Sequence, residues 1–553
     1  MKIFGVLLGM HRFNLYLHTL RFLKLTQIWG RVVFLLYRPK PDMAQAPTFR
    51  LTEGEWVQSA SRLPSMRGPL VFYVLNQEYV ITSRGDWNSS ELSKLALYNL
   101  HYFDDLNALR SSDRYEWHQS LITKWIADNS PGSGVGWEPY PLSIRVTNWI
   151  KWGLAGNTLD DNARDSLAIQ TRFLVKRLEH HILGNHLFVN AKALIFAGCV
   201  FDGEEADSWF KKGMSILERE VPEQILSDGG QFERSPMYHS LAYEDVLDLV
   251  NLAKVFPTVF ASYTRLTNNW DKAILQMQRW LRVMCHPDNE ISFFNDAALG
   301  VAPSPDQLFA YTNRLGYPVS NLASGLTVLQ DSGYIRVQLG EAVLLIDTAH
   351  IGPDYLPGHA HADTLSYEFS LHGKRLIVNS GTSQYEMGKQ RNFERSTKAH
   401  NTVEIDGENS SEVWAGFRVA RRARPFDISI QRNEDEFTIV AAHDGYERLR
   451  GKPVHRRKWK LTKYDLQVTD WIDGEFNEAI SRVYFHPDFC SEEGRGNKWM
   501  GRDIEINVSL KDYQVQSSYW YPEFSVALKN QVLIMPMLSE KGNACCKFSL
   551  DWA

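Results

Sequence analysis

From about Leu92 to Tyr317, apolar residues recur at three- and four-residue steps, the spacing of one face of an α-helix. The runs Ser120 to Ile126, Ser143 to Leu154, Leu159 to Leu178, Asn185 to Phe201, Ala206 to Glu220, Ser240 to Val255 and Asn269 to Met284 all carry it, and Gly, Pro, Asp and Asn punctuate the joints. No exact repeat of 30 to 45 residues emerges, so the pattern predicts consecutive helical hairpins rather than a consensus solenoid. After about Ser324 the period shortens to two, in runs such as Tyr334 to Leu339, Val343 to Asp347, Phe437 to Ala442, Lys458 to Leu461 and Val532 to Met535. That half reads as an antiparallel β-sandwich. Ahead of the helices, Leu70 to Leu75 and Glu78 to Ile81 predict a hairpin around Asn76-Gln77. The expected division is an N-terminal segment over 1–84, a helical domain over 85–324 and a strand domain over 325–553.

The first 41 residues contain no Asp or Glu but carry Lys2, Arg12, Arg21, Lys24, Arg31, Arg38 and Lys40 among many apolar side chains. Ile3 to Met10 is too short to span a bilayer, and no small-x-small cleavage site follows it, so a cytoplasmic or membrane-peripheral location is expected over secretion, with the periplasm left open. Leu15 to Tyr37 reads as a basic amphipathic helix, suited either to an anionic membrane surface or to packing on the main body. Over all 553 residues the net charge of −5 and pI near 6.4 count against nucleic acid as the partner. The five cysteines form no CxxC pair, which removes a zinc-finger cage and a disulfide framework from consideration.

Candidate chemistry concentrates between Pro357 and Thr402. His359, His361 and Asp363 alternate ahead of the strand-like run Thr364 to Ser370, and on an extended strand they share one face. Such a face suits a metal, or a base beside a metal; spacing alone does not separate the two. A second strand-like run, Arg375 to Val378, is followed by Asn379, Gly381, Tyr385 and His400, so three imidazoles converge only if the two strands pair. In the helical half, Gly184-Asn185-His186 opens one helix, with Asn185 in the role of cap. Phe232 to His239 opens another, with Ser235 as cap and Pro236 at the first helical position. Helices that share direction would point their positive ends and free N–H groups into one region, suited to a carboxylate.

The segments Asn99-Leu-His-Tyr-Phe-Asp104, Gly136-Trp-Glu-Pro-Tyr-Pro-Leu-Ser143, Gly184-Asn-His-Leu187, Gly229-Gly-Gln-Phe-Glu-Arg-Ser-Pro-Met-Tyr-His239 and Gly358-His-Ala-His-Ala-Asp363 together resemble the heparinase II/III family of polysaccharide lyases. The resemblance runs from about residue 90 to 425. It implies a multidomain α+β chain with an incomplete (α/α) toroid followed by an antiparallel β-sandwich, and an active site in the cleft between them. It further implies β-elimination at a uronic acid, in which the carboxylate is neutralised before the weakly acidic C5 proton is removed. By the same resemblance, Asn185 matches the carboxylate-neutralising residue with His186 assisting, Tyr238 the general acid that often serves as base as well, and His359 the partner base. Tyr385 is a second tyrosine near the cleft. His361 and His400 match the family's zinc-binding histidines, while Asn379 stands where an Asp is usual. A neutral amide is a poorer zinc ligand than a carboxylate, so a structural zinc ion is expected to be weak, absent or rescued by another group.

An acidic polymer also needs cations, and Arg234 and Arg395, inside the motifs, are expected to face the cleft. The sequence therefore points to a lyase acting on a uronic-acid-containing polysaccharide, linked to bacterial exopolysaccharide or capsule metabolism. A uronyl C5-epimerase on the same fold and a catalytically silent glycan-binding protein are its rivals.

Overall fold

The computed structural model describes residues 12–319, 321–491, 498–500, 505–509, 513–537 and 543–552; the apolar run Ile3 to Met10 lies outside them. Two helices open the described chain, α1 over 12–20 and α2 over Leu25–Leu36. A three-stranded antiparallel sheet follows, β1 (Met66–Gly68), β2 (Val71–Val74) and β3 (Gln77–Val80). Its hairpin turns one residue earlier than the sequence suggests, at Leu75 and Asn76, both left-handed at φ 52° and 59°.

The helical stretch comprises α3 (Lys94–Tyr102), α4 (Tyr115–Asp128), α5 (Pro139–Leu154), α6 (Asp161–Val175), α7 (Gly184–Val200), α8 (Glu204–Gln224), α9 (Pro236–Val255), α10 (Thr264–Val283) and α11 (Pro305–Arg314). Local chemistry sets where these helices start. The Asp160 carboxylate accepts from Ala163 N–H at 2.8 Å, Ser235 and Ser304 cap α9 and α11, and proline occupies the first turn of α5, α9 and α11. Helix α7 carries apolar residues on every face, interrupted by Asn190 and the ion-paired Lys192, and is buried along nearly its whole length, as befits the centre of the helical half.

Strands begin at β4 (Gly325–Leu329) and continue through β5 (Tyr334–Leu339), β6 (Ala342–Asp347), β7 (Tyr367–Leu371) and β8 (Lys374–Ile377), an antiparallel meander in chain order. Strand β6 is buried throughout because both its faces are covered. Val343 and Leu345 pack with Trp280 and Met284 of the helical half, whereas Leu344 and Ile346 share a core with Ile439, Trp459 and Phe548 of a second, larger sheet. A further sheet carries β9 (Val403–Ile405) at its edge.

The HxHxD triplet does not lie on a strand. Strand β7 starts only at Tyr367, because Ser366 N–H closes a turn onto Asp363 O at 2.8 Å with Leu365 left-handed at φ 64°. The strands β7 and β8 do pair, Phe369 opposite Ile377. Beyond β8, Gly381 takes φ +81° and a Cβ there would stand 2.1 Å from Tyr521 O. Gly381→Ala is therefore expected to lower the apparent melting temperature by roughly 5–10 °C and disturb the loop that carries Tyr385; an unchanged melt would show that this approach relaxes freely.

Candidate active site

The segment 293–296, between α10 and α11, is where the helical half meets the strands. Phe293 N–H donates to Glu368 Oε2 at 3.0 Å and Asn295 N–H to Asp363 Oδ2 at 3.0 Å, while Asn295 Oδ1 accepts from His361 N–H at 3.1 Å. Asp296 N–H donates to His359 O at 2.9 Å. The seam thus brings two histidines onto one carboxylate: Asp296 Oδ2 lies 2.9 Å from His359 Nδ1, and Oδ1 lies 2.8 Å from His361 Nε2. Arg391, from a helix α12 spanning Lys389–Glu394, grips both oxygens, at 2.6 Å for Nη2–Oδ2. All of these groups are buried except His359, which is half-buried.

Burial alone would push the Asp296 carboxyl up, but Arg391 and the two histidines outweigh it and hold it well below the ordinary carboxylate range. A carboxylate kept ionised has no proton to give, so the facing nitrogens must carry theirs. His359 therefore holds hydrogen on Nδ1 and turns Nε2 away from the seam, with Glu233 Oε2 3.7 Å away. Burial pushes the Glu233 carboxyl up, partly offset by His359.

Tyr238, on the first turn of α9, stacks on His359 with ring centroids 3.8 Å apart, and its hydroxyl lies 3.1 Å from that of Tyr385. Burial, reinforced by Tyr385, raises the Tyr238 phenol well above its usual range, and burial does the same for Tyr385. Both rings therefore keep their protons at neutral pH. Ser235 ties Tyr238 to the seam: its Oγ accepts from Tyr238 N–H at 3.1 Å and donates to Asp296 O at 2.5 Å.

Asn185 proves not to be a cap. Helix α7 starts at Gly184, with Leu183 left-handed ahead of it and no side-chain cap, so the Asn185 amide is free to donate to Tyr140 OH at 3.2 Å. Tyr140 sits on the first turn of α5, packs its ring 4.4 Å from that of His186, and lies close enough to raise Tyr238 electrostatically. A Cβ on Gly184 would stand 3.7 Å from Glu233 Oε1, just ahead of α9. The starts of α5, α7 and α9 therefore gather in one region. His186 bonds Glu179 at 3.0 Å; burial works against its charge, but Glu179 prevails and raises it, which favours the charged form beside Asn185.

The structure brings together Asn185, His186, Tyr238, His359 and Tyr385. It does not bring the two predicted arginines to them as free charges. Arg395 is 1% exposed and directs its guanidinium to Ala360 O at 2.8 and 3.0 Å, bracing the loop between the two histidines. Arg234 donates to His350 O at 2.6 Å and Asp331 O at 3.4 Å. Sequence reasoning missed Tyr140 and Asp296 as contributors and noted Arg391 only as one of several basic residues beside the motifs; Tyr140 lay inside a quoted motif, whereas no periodicity marks Asp296.

The proposed zinc ligands form only part of a set. His361 Nδ1 and His400 Nε2 face each other at 3.1 Å, and Asp296 on the far nitrogen of His361 resembles the carboxylate that commonly orients a ligating imidazole. Asn379, however, gives its Oδ1 to Asn401 N–H at 3.2 Å and to the Asn401 amide at 3.3 Å, and its own amide faces Ser366 Oγ at 3.4 Å. Among the described residues no group of three or more His, Cys, Asp and Glu could hold a metal ion. The three residues do not fit zinc as a set, and no chemistry is routed through one.

Residues 162–311 match the family model described as heparinase II/III N-terminus, and residues 322–535 the one described as heparinase II/III-like, C-terminal. A heparin-sulfate lyase of Bacteroides stercoris is 29% identical over 272 residues, 44% of this chain and 40% of that protein; one of Pedobacter heparinus is 26% identical over 256 residues, 41% and 36% of the respective chains. The chain thus spans less than half the length of these curated relatives. The crystal structure of heparinase III superposes with a TM-score of 0.67 at 17% identity, over 96% of this chain and 85% of that one. That of the heparan sulfate lyase HepC from Pedobacter heparinus gives 0.55 at 16% identity, over 88% and 82%. At such identities the likeness is one of fold.

Because Asp296 titrates lower folded than unfolded, its contribution to stability is complete above the unfolded value near 3.9 and is lost as pH falls through the folded one. Asp296→Asn leaves Arg391 buried without its counter-charge, so a loss of about 3–5 kcal/mol is expected at pH 7, shrinking in melts below about pH 4; a pH-independent loss would remove the charge from the explanation. Elemental analysis of purified protein is expected to find well under one zinc per chain, and a content near one that His361→Ala abolishes would refute this.

Proposed function

We propose that this chain, which belongs to the heparinase II/III family, is a polysaccharide lyase that cleaves a uronic-acid-containing glycan by β-elimination. The observation that carries the reading is the pairing of a protonated phenol, Tyr238, with an imidazole, His359, whose inner nitrogen is held by Asp296 so that Nε2 turns outward. His359 Nε2 takes the proton from C5, the released electron pair forms the C4–C5 double bond, and Tyr238 gives its proton to the departing O4. Asn185, His186 with its charged form favoured by Glu179, and the gathered helix starts lower the cost of charge building on the carboxylate. Glu233 beside Nε2 favours the imidazolium that results, and Tyr385 steadies the hydroxyl of Tyr238. The curated relatives named heparin-sulfate lyases support the same class of reaction and an acidic polysaccharide as substrate.

With Arg234 and Arg395 directed at backbone carbonyls, the groups around the reacting centre suit a single uronate carboxylate better than dense sulfate. The helical half is read as an incomplete (α/α) toroid and the strand half as an antiparallel β-sandwich, with domains over 1–84, 85–324 and 325–553. The consecutively packed helices and the separate apolar core shared by the sheets support the boundary between the last two, whereas Met66, Phe72 and Ile81 of the first segment pack into the core of the helices.

Incubation with a panel of sulfated and unsulfated uronic-acid polymers in heavy water is expected to generate the ultraviolet absorbance of an unsaturated sugar end. Deuterium at C5 without absorbance would make the protein an epimerase instead. Tyr238→Phe is expected to lower turnover by about 10²–10⁴-fold with the melting curve unchanged, and near-normal turnover would remove Tyr238 from the chemistry.

A further inference from the structure

The two N-terminal helices sit on the body with their faces reversed. Helix α2 seats itself through Gln27, whose amide donates to Ile182 O at 3.3 Å and Tyr355 O at 3.2 Å, through Gly30, and through Phe34, which stacks on His181 at 4.0 Å. Only glycine permits the approach at position 30, where a Cβ would stand 2.9 Å from the His180 carbonyl carbon. Helix α1 seats itself through Thr19, which accepts from Trp414 Nε1 at 3.2 Å, and through Tyr16 against the Trp414 ring at 4.8 Å. The contacts to the body are thus largely polar, small or aromatic, while aliphatic bulk faces outward. Phe13 is 67% exposed, Leu25 82%, Trp29 70%, Leu35 62% and Leu36 79%. An amphipathic helix that packs for stability alone does the opposite, and a contiguous apolar face on a folded surface marks a place where something else binds.

We propose that this face docks on an anionic lipid bilayer. The charge accompanying it decides between occupants. Residues 1–41 contain no Asp or Glu, and Arg12, Arg31 and Arg38 lie exposed along the two helices, whereas Lys24 is already paired with Glu223. A second copy of the chain would bring like charges face to face, but an anionic surface neutralises them. The twelve residues of α2 are too few to span a bilayer, and no single helix among the described residues is long and apolar enough to do so; an apolar face bearing tryptophan with basic flanks suits the interfacial plane. Gln27 anchors α2 to Ile182, three residues before Asn185, and to Tyr355, four before His359. The docked surface and the loops of the cleft therefore share one scaffold, and the lyase would meet its polymer at a membrane.

The test is flotation of the full chain with phosphatidylcholine vesicles, with and without phosphatidylglycerol. The chain is expected to float with the phosphatidylglycerol vesicles, less so at high salt. Trp29→Asp/Leu36→Asp is expected to lower the bound fraction by at least about tenfold while its melting curve and turnover on soluble polymer stay unchanged. Arg31→Glu/Arg38→Glu supplies a second variant that leaves the apolar face intact and is expected to weaken flotation as well. The proposal falls if no vesicles bind, if binding ignores phosphatidylglycerol, or if both variants float like the wild type. It falls equally if sedimentation finds a wild-type dimer that Trp29→Asp/Leu36→Asp separates, since the face would then be covered by a second copy.

Discussion

One carboxylate holds the two halves of this protein in register. Asp296 comes from the segment that joins two helices, yet its oxygens hold two histidines from a loop of the strand half and an arginine from a short helix beyond it. A buried ion pair adds little net stability over an apolar replacement, but it tolerates the loss of neither member. Its value here lies in specificity, because both oxygens are occupied in a single arrangement that sets the hydrogen position on both imidazoles. The free nitrogen of His359 and the ring of Tyr238 then follow from that geometry rather than from any property of their own segments.

The surrounding architecture explains how such a seam withstands the separation of its parts along the chain. Strand β6 is buried on both faces, one towards α10 and one towards the larger sheet, so the helical and strand halves are not merely adjacent but share a wall. Three buried carboxylates, Asp296, Asp363 and Glu368, then fasten segment 293–296 to the strand side through backbone N–H groups and histidines. Apolar burial fixes the distance between the halves, and these directional bonds fix the register.

Much of this was legible in the sequence, and the parts that were not share a cause. Helix existence followed from period, and α9 was readable to the residue because Ser235 and Pro236 carry start signals of their own. Asn185 admitted two readings, cap or carboxylate partner, and only the cap is set aside: α7 starts without a side-chain cap behind the left-handed Leu183, which leaves the amide for Tyr140. The HxHxD spacing suggested a strand face, but a turn at Asp363–Ser366 broke the extension, and the two histidines meet through a carboxylate that lies 65 residues before His361. Arg234 and Arg395 misled for a related reason: a basic residue beside a motif does not announce which carbonyl oxygens the fold will leave for it to satisfy. Contacts over such separations leave no periodic trace.

The hydroxyl of Ser235 has a consequence for how such a cleft can diversify. By capping the helix that bears Tyr238 and bonding the backbone of Asp296 at the same time, it references the rings of Tyr238 and His359 to one short stretch of chain. The segments around the two rings then take no part in setting their separation. Loops there can lengthen, shorten or exchange side chains while the spacing between the stacked rings is inherited unchanged.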